Sequence, residues 1–492
     1  VVTDSKGMRS VLKVFFAGRG MNTAVRYSLS LPQRLIRWMR PLTNLASTTW
    51  HIGTQFICSR ITKRESRYEF SHPITLLDSF VLVNSFDGEN DEYKDRYYPG
   101  FFDALTRQEI VRTYVLATFV GVRNYRTTLR KLRSASNRFL LQEDFLRVQA
   151  DAAAFLGILQ VRRLAGKLRD EAMQFQGFSL APVIREEIRR TCTNYASILA
   201  MLNYRLMQRM QESNVPIRLV VDWNENQVID KGLTRGTHDF YPQTPVVGYQ
   251  GFIVSPLYHI YLHPTAFEVS IGVIPDVIAV VGEGLVERTK EFCPSLIVTS
   301  GPAARFDDVW RAPQAAPGAE RKHILVSLSI SVKESVEILG LVDEAIRLKG
   351  VEDAEVAIKL HPTLTQAQMM RAYPVRWPAG FRFVAGNFHD CLAGASMLIG
   401  NTSSTCVEAL ARGVPVIVIG SQSGLTQNPI PSEIDPDIWT LCYTAHQVTQ
   451  AIQAYQARTP EKVAEHLCLG REIRQRYFEP ATRESIRKFL RL

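Results

Sequence analysis

The chain has no C-x-x-C pair, no run of about eighteen apolar residues, no Walker A loop and no complete G-x-G-x-x-G. Each absence excludes something. The seven cysteines (Cys58, Cys192, Cys293, Cys391, Cys406, Cys442 and Cys468) are scattered and odd in number. That pattern excludes a disulfide framework, fits a reducing compartment and argues against a zinc site. Without a long apolar run, no membrane-spanning helix is expected. Without the two phosphate-binding loops, any phosphate must be held by other means. No signal-peptide pattern is read, so the cytoplasm is the expected compartment, with the cytoplasmic face of the inner membrane as the one alternative. Internal repeats and low-complexity tracts are missing too.

What is present is ordinary in amount and uneven in placement. A length of 492 residues implies at least two domains, and 46% hydrophobic with 22% charged residues is a globular composition. The net charge of +10 calls for an anionic partner. Nucleic acid is not the expected one, because no basic helix with interleaved aromatics, zinc finger or RNP-like signature occurs. Anionic headgroups and phosphorylated substrates fit the charge instead. The first 66 residues hold many Arg and Lys against two acids, Asp4 and Glu65. Within them Leu31–Arg40 mixes arginines with Leu35, Ile36, Trp38 and Met39. Two readings stay open: a helix on an anionic membrane surface, or one packed on the domain with its arginines in water.

Five segments follow: a basic N-terminal segment over 1–66, an N-terminal α/β domain over 67–311, a linker over 312–320, a C-terminal α/β domain over 321–470, and a C-terminal helix over 471–492. In the first domain, short β-branched strands at 80–83, 217–221, 245–248, 277–281 and 296–299 imply a parallel sheet. A mostly helical stretch is expected from about Leu105 to Gln211. The linker reads from Ala312-Pro313-Gln314-Ala315-Ala316-Pro317-Gly318. Strands at 323–327, 354–360, 381–384, 397–399 and 414–419 then alternate with helices, which is a second doubly wound pattern.

The most informative stretch runs from Gly400 through Thr402, Ser403, Ser404, Thr405 and Glu408 to Gly413 and the strand ending at Gly420. A hydroxyl-rich turn before a helix offers backbone donors to an anion. The competing reading is a helix cap, since Thr405-x-x-Glu408 has the capping-box spacing. Two further loops belong beside it at strand ends. One is Ser327-Leu328-Ser329-Ile330-Ser331, with its own box at Ser331-x-x-Glu334. The other is Lys359-Leu360-His361-Pro362. Together they supply hydroxyls, one lysine and one imidazole, an inventory for phosphate.

Lys359-x-His361-Pro362, the Ser403-Ser404 pair, Glu408 and Gly413-Val414-Pro415 resemble the C-terminal half of GT-B glycosyltransferases. The likeness is closest to the bacterial sialyl-, polysialyl- and Kdo-transferase-like enzymes of surface and capsular polysaccharide assembly. The stretches Asp222–Asp230, Gly248–Phe252 and Val273–Asp276 are similar to bacterial surface-carbohydrate biosynthesis proteins. This resemblance implies an α/β GT-B fold: two Rossmann-like doubly wound domains facing across a cleft, with a helical insertion in the N-terminal half. It implies His361, Ser403 and Ser404 on the donor phosphate, usually of a CMP-activated sugar. Ser327, Ser329, Ser331, Lys359, Thr402 and Glu408 would line the same donor site. It also implies a nucleotide-sugar donor, a glycan or glycolipid acceptor, and no separate cofactor.

Glycosyl transfer needs a base for the acceptor hydroxyl or a carboxylate nucleophile. Such enzymes take that group from the N-terminal domain, where Asp222 and Glu225 follow a strand directly. Asn224, Asn226 and Gln227 are placed to bond sugar hydroxyls, and Tyr249 and Gln250 to stack on or orient a sugar. The plainer alternative has Asp222 or Asn224 capping a helix. Asp87 and Glu89 are second-choice carboxylates. Asp435-Pro436-Asp437 reads as a turn in a proline-rich loop, and no metal is expected. The rival functions are a UDP- or GDP-sugar transferase, a UDP-sugar epimerase of the same fold, and a catalytically silent scaffold.

Overall fold

A computed structural model describes residues 31–62 and most of 68–492; residues 1–30, 63–67, 87–92, 148–153, 254–261, 312–322 and some shorter stretches lie outside the description. The expected linker at 312–320 and the second-choice carboxylates Asp87 and Glu89 are therefore outside it. By compactness the chain divides in two. One unit takes the chain up to Tyr249 with Pro264–Ile278 and Phe292–Ile297, and the other takes Gln250–His263, Ala279–Glu291 and Val298–Leu492. No helix among the described residues is long and apolar enough to cross a membrane.

Seven strands form the first sheet: β1 (Ile74–Leu82), β2 (Thr113–Val120), β3 (Arg138–Leu140), β4 (Ile217–Trp223), β5 (Val246–Gln250), β6 (Val277–Val280) and β7 (Val298–Ser300). Their order is β3-β2-β1-β4-β5-β6-β7, and the pairings from β3 through β5 are parallel. The strands are short apolar runs because both faces of a parallel sheet are covered. Around it lie α1 (Leu31–Thr62), α2 (Tyr125–Ser134), α3 (Tyr195–Glu212) and α4 (Val228–Phe240). Ile198, Leu202, Leu206 and Leu233 from α3 and α4 share a core with Leu76, Leu116, Val220 and Val246 of the sheet.

The mostly helical stretch expected from Leu105 to Gln211 is corrected here. It contains β2 and β3, two strands of the main sheet. Seven consecutive buried residues, Thr113 to Phe119, carry no polar alternation. Such a run looks alike in a buried strand and a buried helix, and its Arg-rich flanks favoured the helix.

The second sheet is built from β8 (His323–Ser327), β9 (Glu355–Lys359), β10 (Phe381–Val384), β11 (Ala395–Gly400), β12 (Val416–Ile419) and β13 (Trp439–Cys442). Its order is β10-β9-β8-β11-β12-β13, with every pairing parallel. Helices α5 (Val332–Ile346), α6 (Phe388–Ala393), α7 (Thr405–Leu410), α8 (Ala445–Gln456) and α9 (Pro460–Tyr477) accompany it. Ile338 and Val342 of α5 and Val448 of α8 pack on Ile324, Ile358 and Ile399 of the sheet. Both sheets are doubly wound and Rossmann-like.

Two glycines bring α9 close to the end of α7. Gly413 sits at φ 67°, a left-handed turn leading into β12. A Cβ there would lie 2.9 Å from the His466 carbonyl oxygen, and one on Gly470 would lie 2.5 Å from the Gly413 nitrogen. Only hydrogen fits at either position, so the two backbones touch. The Asp435–Asp437 segment is a capped turn, as read: the Asp437 N–H donates to Asp435 Oδ1 at 2.9 Å.

Candidate functional site

Each sheet reverses its winding once, and at that point the carboxyl ends of two neighbouring strands open a crevice where doubly wound folds hold ligands. In the six-stranded sheet the reversal falls between β8 and β11. The 327–331 loop leaves β8 and the 401–404 turn leaves β11. They meet, with Thr405 Oγ1 and Ser327 Oγ 3.3 Å apart. Glu334 Oε2 accepts the Ser329 hydroxyl at 2.6 Å and Asn401 Nδ2 at 3.4 Å. A narrow open crevice lies here, lined by Glu334, Glu337, Asn401, Thr402, Gly420 and Ser421.

Neither expected capping box closes. Ser331 does cap α5, its hydroxyl accepting the Glu334 N–H at 3.4 Å. The Glu334 carboxylate, however, turns to Ser329 and Asn401 and not back to the cap. At α7 the cap residue is Ser404, with no side-chain cap bond. Glu408, which is buried, points inward: its Oε2 pairs with His389 Nε2 at 3.0 Å and its Oε1 accepts the Ser404 hydroxyl at 3.4 Å. Burial decides this, because a carboxylate on the inner side of a helix needs an internal donor.

The donors at α7 are fewer than its sequence promised. The Thr405 N–H bonds Ser403 Oγ at 3.3 Å, and the Cys406 N–H bonds the Ser403 carbonyl at 3.1 Å. A helix of six residues also has little macrodipole. What remains for an anion is the N–H groups of Thr402, Ser403 and Ser404, which carry no bond among the described residues. Hydroxyl-bearing groups suit the carboxylate-lined crevice, while an anion suits only the turn beside it.

His361 and Lys359 stand one strand away, at the end of β9. Lys359 Nζ is spent on the Gly386 carbonyl at 2.7 Å. His361 Nδ1 accepts the Thr363 N–H at 3.2 Å and lies 2.7 Å from Thr363 Oγ1. Those bonds assign the ring proton to Nε2. Burial lowers the His361 pKa, so the ring is a neutral donor and not a cation. Ser327, Ser329, Asn401, Thr402 and Thr405 are thus brought together, while Lys359 and His361 are not joined to them by any described bond.

The seven-stranded sheet reverses between β1 and β4, and this second point is filled. Leu77 pairs with Val221, which sets Asp78 beside Asp222 on adjoining strands, and Asp222 pairs with Gly248. Asp222 is 0% exposed, and neither of its oxygens has a hydrogen-bond partner among the described residues. Burial, and then the charges of Asp230, Asp78 and Glu225, push its pKa well above the usual carboxylate range. Burial pushes Asp78 up to about 7, against a weak bond from Thr118. Asp222 is held neutral by its surroundings, and Asp78 keeps its proton up to about pH 7.

Neither Asp222 nor Asn224 is the helix cap. The cap residue is Gln227, and Asp230 in the first turn reaches back, its Oδ2 accepting the N–H groups of Glu225 and Gln227 at 2.9 Å each. The Asn224 Oδ1 accepts the Asn226 N–H at 2.8 Å and leaves its own Nδ2 unbonded. Gly248 is required here, because a Cβ on it would run into the Asn224 side chain. Glu225 is half-buried and held from two sides, by Trp223 Nε1 at 3.0 Å and Gln227 Nε2 at 2.6 Å. Tyr249, expected to stack on a sugar, is instead buried in an aromatic cluster with Tyr98, Phe101 and Trp223. Gln250 is buried as well. Of the residues named for the acceptor side, Glu225 and Gln227 are the ones with partial access to solvent.

Three residues escaped the sequence: Asp78, Glu334 as more than a cap, and His389. Asp78 is a lone acid in an apolar strand, about 140 positions from its neighbour. His389 carries no motif; its one local signal is the Asn387 cap, whose Oδ1 accepts the His389 N–H at 2.9 Å.

No family model matches the chain, and no curated protein does. Several solved structures resemble it over 85% of its length. One is the S. aureus MnaA structure with UDP, at 12% identity, 97% of that chain and a TM-score of 0.46. Another is Acinetobacter baumannii MurG, at 12% identity, 99% of that chain and 0.43. A third is the glycosyltransferase SnogD from Streptomyces nogalater, at 14% identity, 99% of that chain and 0.43. None of these reaches a TM-score of 0.5, and identities this low assign no residue a role.

Proposed function

We propose that the chain is a GT-B glycosyltransferase that takes a sugar from a nucleotide-activated donor to build a bacterial surface polysaccharide. The observation that carries the reading is the open crevice between β8 and β11. There a carboxylate pair, Glu334 and Glu337, adjoins a hydroxyl-rich turn with unbonded N–H groups. Carboxylates accept from the hydroxyls of a ribose, and preorganised N–H donors take up the charge that grows on a departing phosphate. The donor is proposed to be CMP-linked and to carry an acidic sugar of the Kdo or sialic-acid class; the acceptor is a growing glycan or glycolipid at the cytoplasmic face of the membrane. Glu225 is the base, since of the two candidate acids at the end of β4 it is the one that is not fully buried.

The test is thermal shift with CMP, UDP and GDP. A ligand at a hundred times its Kd stabilises by about 2.7 kcal/mol, which a melting curve resolves. Stabilisation by CMP alone supports the reading. A response to UDP or GDP instead moves the donor, and no response to any nucleotide leaves the scaffold reading. Glu225→Gln is expected to abolish turnover without changing nucleotide affinity; full turnover would take the base elsewhere.

A further inference from the structure

Helix α1 buries a mixed face and exposes an apolar one. On its inner side Thr48, Gln55 and Ser59 are buried, and Leu45 and Ile52 pack on the core. Gln55 donates to the buried Glu143 carboxylate. Ser59 Oγ accepts from Arg133 at 2.9 Å, and Arg133 is itself paired with Asp144 at 2.9 Å. His51 Nδ1 lies 3.3 Å from the Tyr125 hydroxyl. These bonds fix the helix about its own axis, because turning it would strand the buried Glu143 without the Gln55 donor and cost Arg133 its bond to Ser59.

The outer face is apolar. Met39, Leu42, Trp50, Ile57 and Ile61 are exposed, Trp50 to 73% and Ile57 to 60%. With Ala46 between them they fall within an arc of about 100°, over about 33 Å of helix. Isolated exposed apolar side chains need no explanation, but a continuous stripe does. The 32-residue helix carries Arg34, Arg37, Arg40 and Arg60 and not one acid. Arg60 is exposed at the edge of the stripe, stacked 5.0 Å over Phe56.

From this we infer that α1 docks in the plane of a bilayer surface bearing anionic headgroups, with Trp50 and Ile57 as its apolar anchors. The charge selects the occupant: α1 holds four arginines and no acid, so a second copy of the helix would set like charge against like, whereas anionic lipid complements it. The inference stands on α1 alone and not on the donor chemistry.

The full chain is tested by co-sedimentation with phosphatidylglycerol–phosphatidylethanolamine vesicles and, separately, with phosphatidylcholine vesicles. Binding to the anionic vesicles is expected, with a loss of at least about tenfold in the Trp50→Ser, Ile57→Ser double variant. Quenching of tryptophan fluorescence by brominated lipid is expected to fall in Trp50→Phe. Both positions are exposed, so the melting temperature and nucleotide response of the variants should match those of the parent. That separates failure here from failure of the donor reading. Equal binding by parent and double variant overturns the inference, as does no binding by either. A parent dimer that the double variant dissolves also overturns it, by assigning the stripe to a second copy.

Discussion

The two switch points occupy equivalent places in two sheets wound the same way, yet one is open and the other is plugged. Between β8 and β11 the side chains are small: serines, threonines and an asparagine that bond one another and leave a crevice. Between β1 and β4 they are a buried carboxyl pair wrapped by Trp223, Tyr98 and Tyr249. The difference shows that topology supplies a place for a ligand but side-chain volume decides whether it stays vacant. An open crevice costs the fold packing, and a plug of aromatics recovers it.

The largest expected contrast is in stability. Trp223→Ala should cost about 3–5 kcal/mol in urea unfolding, as for a large aromatic removed from a core. Thr402→Ala at the other switch point should change stability by less than about 0.5 kcal/mol. Comparable losses at both sites would erase the distinction.

Next comes acidity. Asp78 keeps its proton in the folded chain up to about pH 7, but gives it up near pH 4 when unfolded. The folded state therefore holds a proton that the unfolded chain has lost. The stability from this is complete below about pH 4 and drains away as pH rises to about 7, at up to about 1.4 kcal/mol per unit. Asp78→Asn should lessen that slope without abolishing it, because Asp222 also holds a proton that the unfolded chain loses, and should be more stable than the parent at pH 7. A parent slope surviving in the variant would mean that Asp78 is ionised after all.

A smaller effect concerns the pair behind the Ser403–Ser404 turn. His389→Ala leaves Glu408 buried without its main donor, at about 1–3 kcal/mol. His389→Gln, which restores an N–H, should recover most of it. Recovery of stability without recovery of nucleotide affinity would separate packing from positioning.

The smallest concerns His361. His361→Ala should weaken nucleotide binding by about tenfold, the worth of one hydrogen bond to a charged group. Because the ring is neutral near pH 7, parent affinity should be flat between pH 6.5 and 8. An affinity that falls with rising pH would mean that a charged imidazole makes the contact.

Five of the six strands of the second sheet were legible as short apolar runs between turn residues: His323–Ser327 and Phe381–Val384 fall where the pattern places them, whereas Trp439–Cys442 was not read. Thr113–Val120 was not, since uniform burial removes the alternation that marks a strand. At the candidate site, residue types were legible and directions were not. Glu408 and Glu334 both have capping spacing, and both carboxylates leave the cap for an internal or crevice-facing partner. Spacing along a helix says nothing about a histidine 19 positions upstream. Tyr249 and Asp222 sit in a polar-looking stretch, and their burial depends on Tyr98 and Phe101, more than a hundred residues away. Helix α1 misleads in the same way: its composition reads as amphipathic, but the partners that fix which side faces in are Arg133 and Glu143.

The contact of Gly413 with Gly470 bears on how a ligand would be held. With α9 pressed against the far end of α7, the hydroxyl-rich turn cannot relax by sliding its helix backward. The conformational entropy of the turn is thus surrendered when the chain folds and not when a ligand arrives, which leaves more of each contact to appear as affinity.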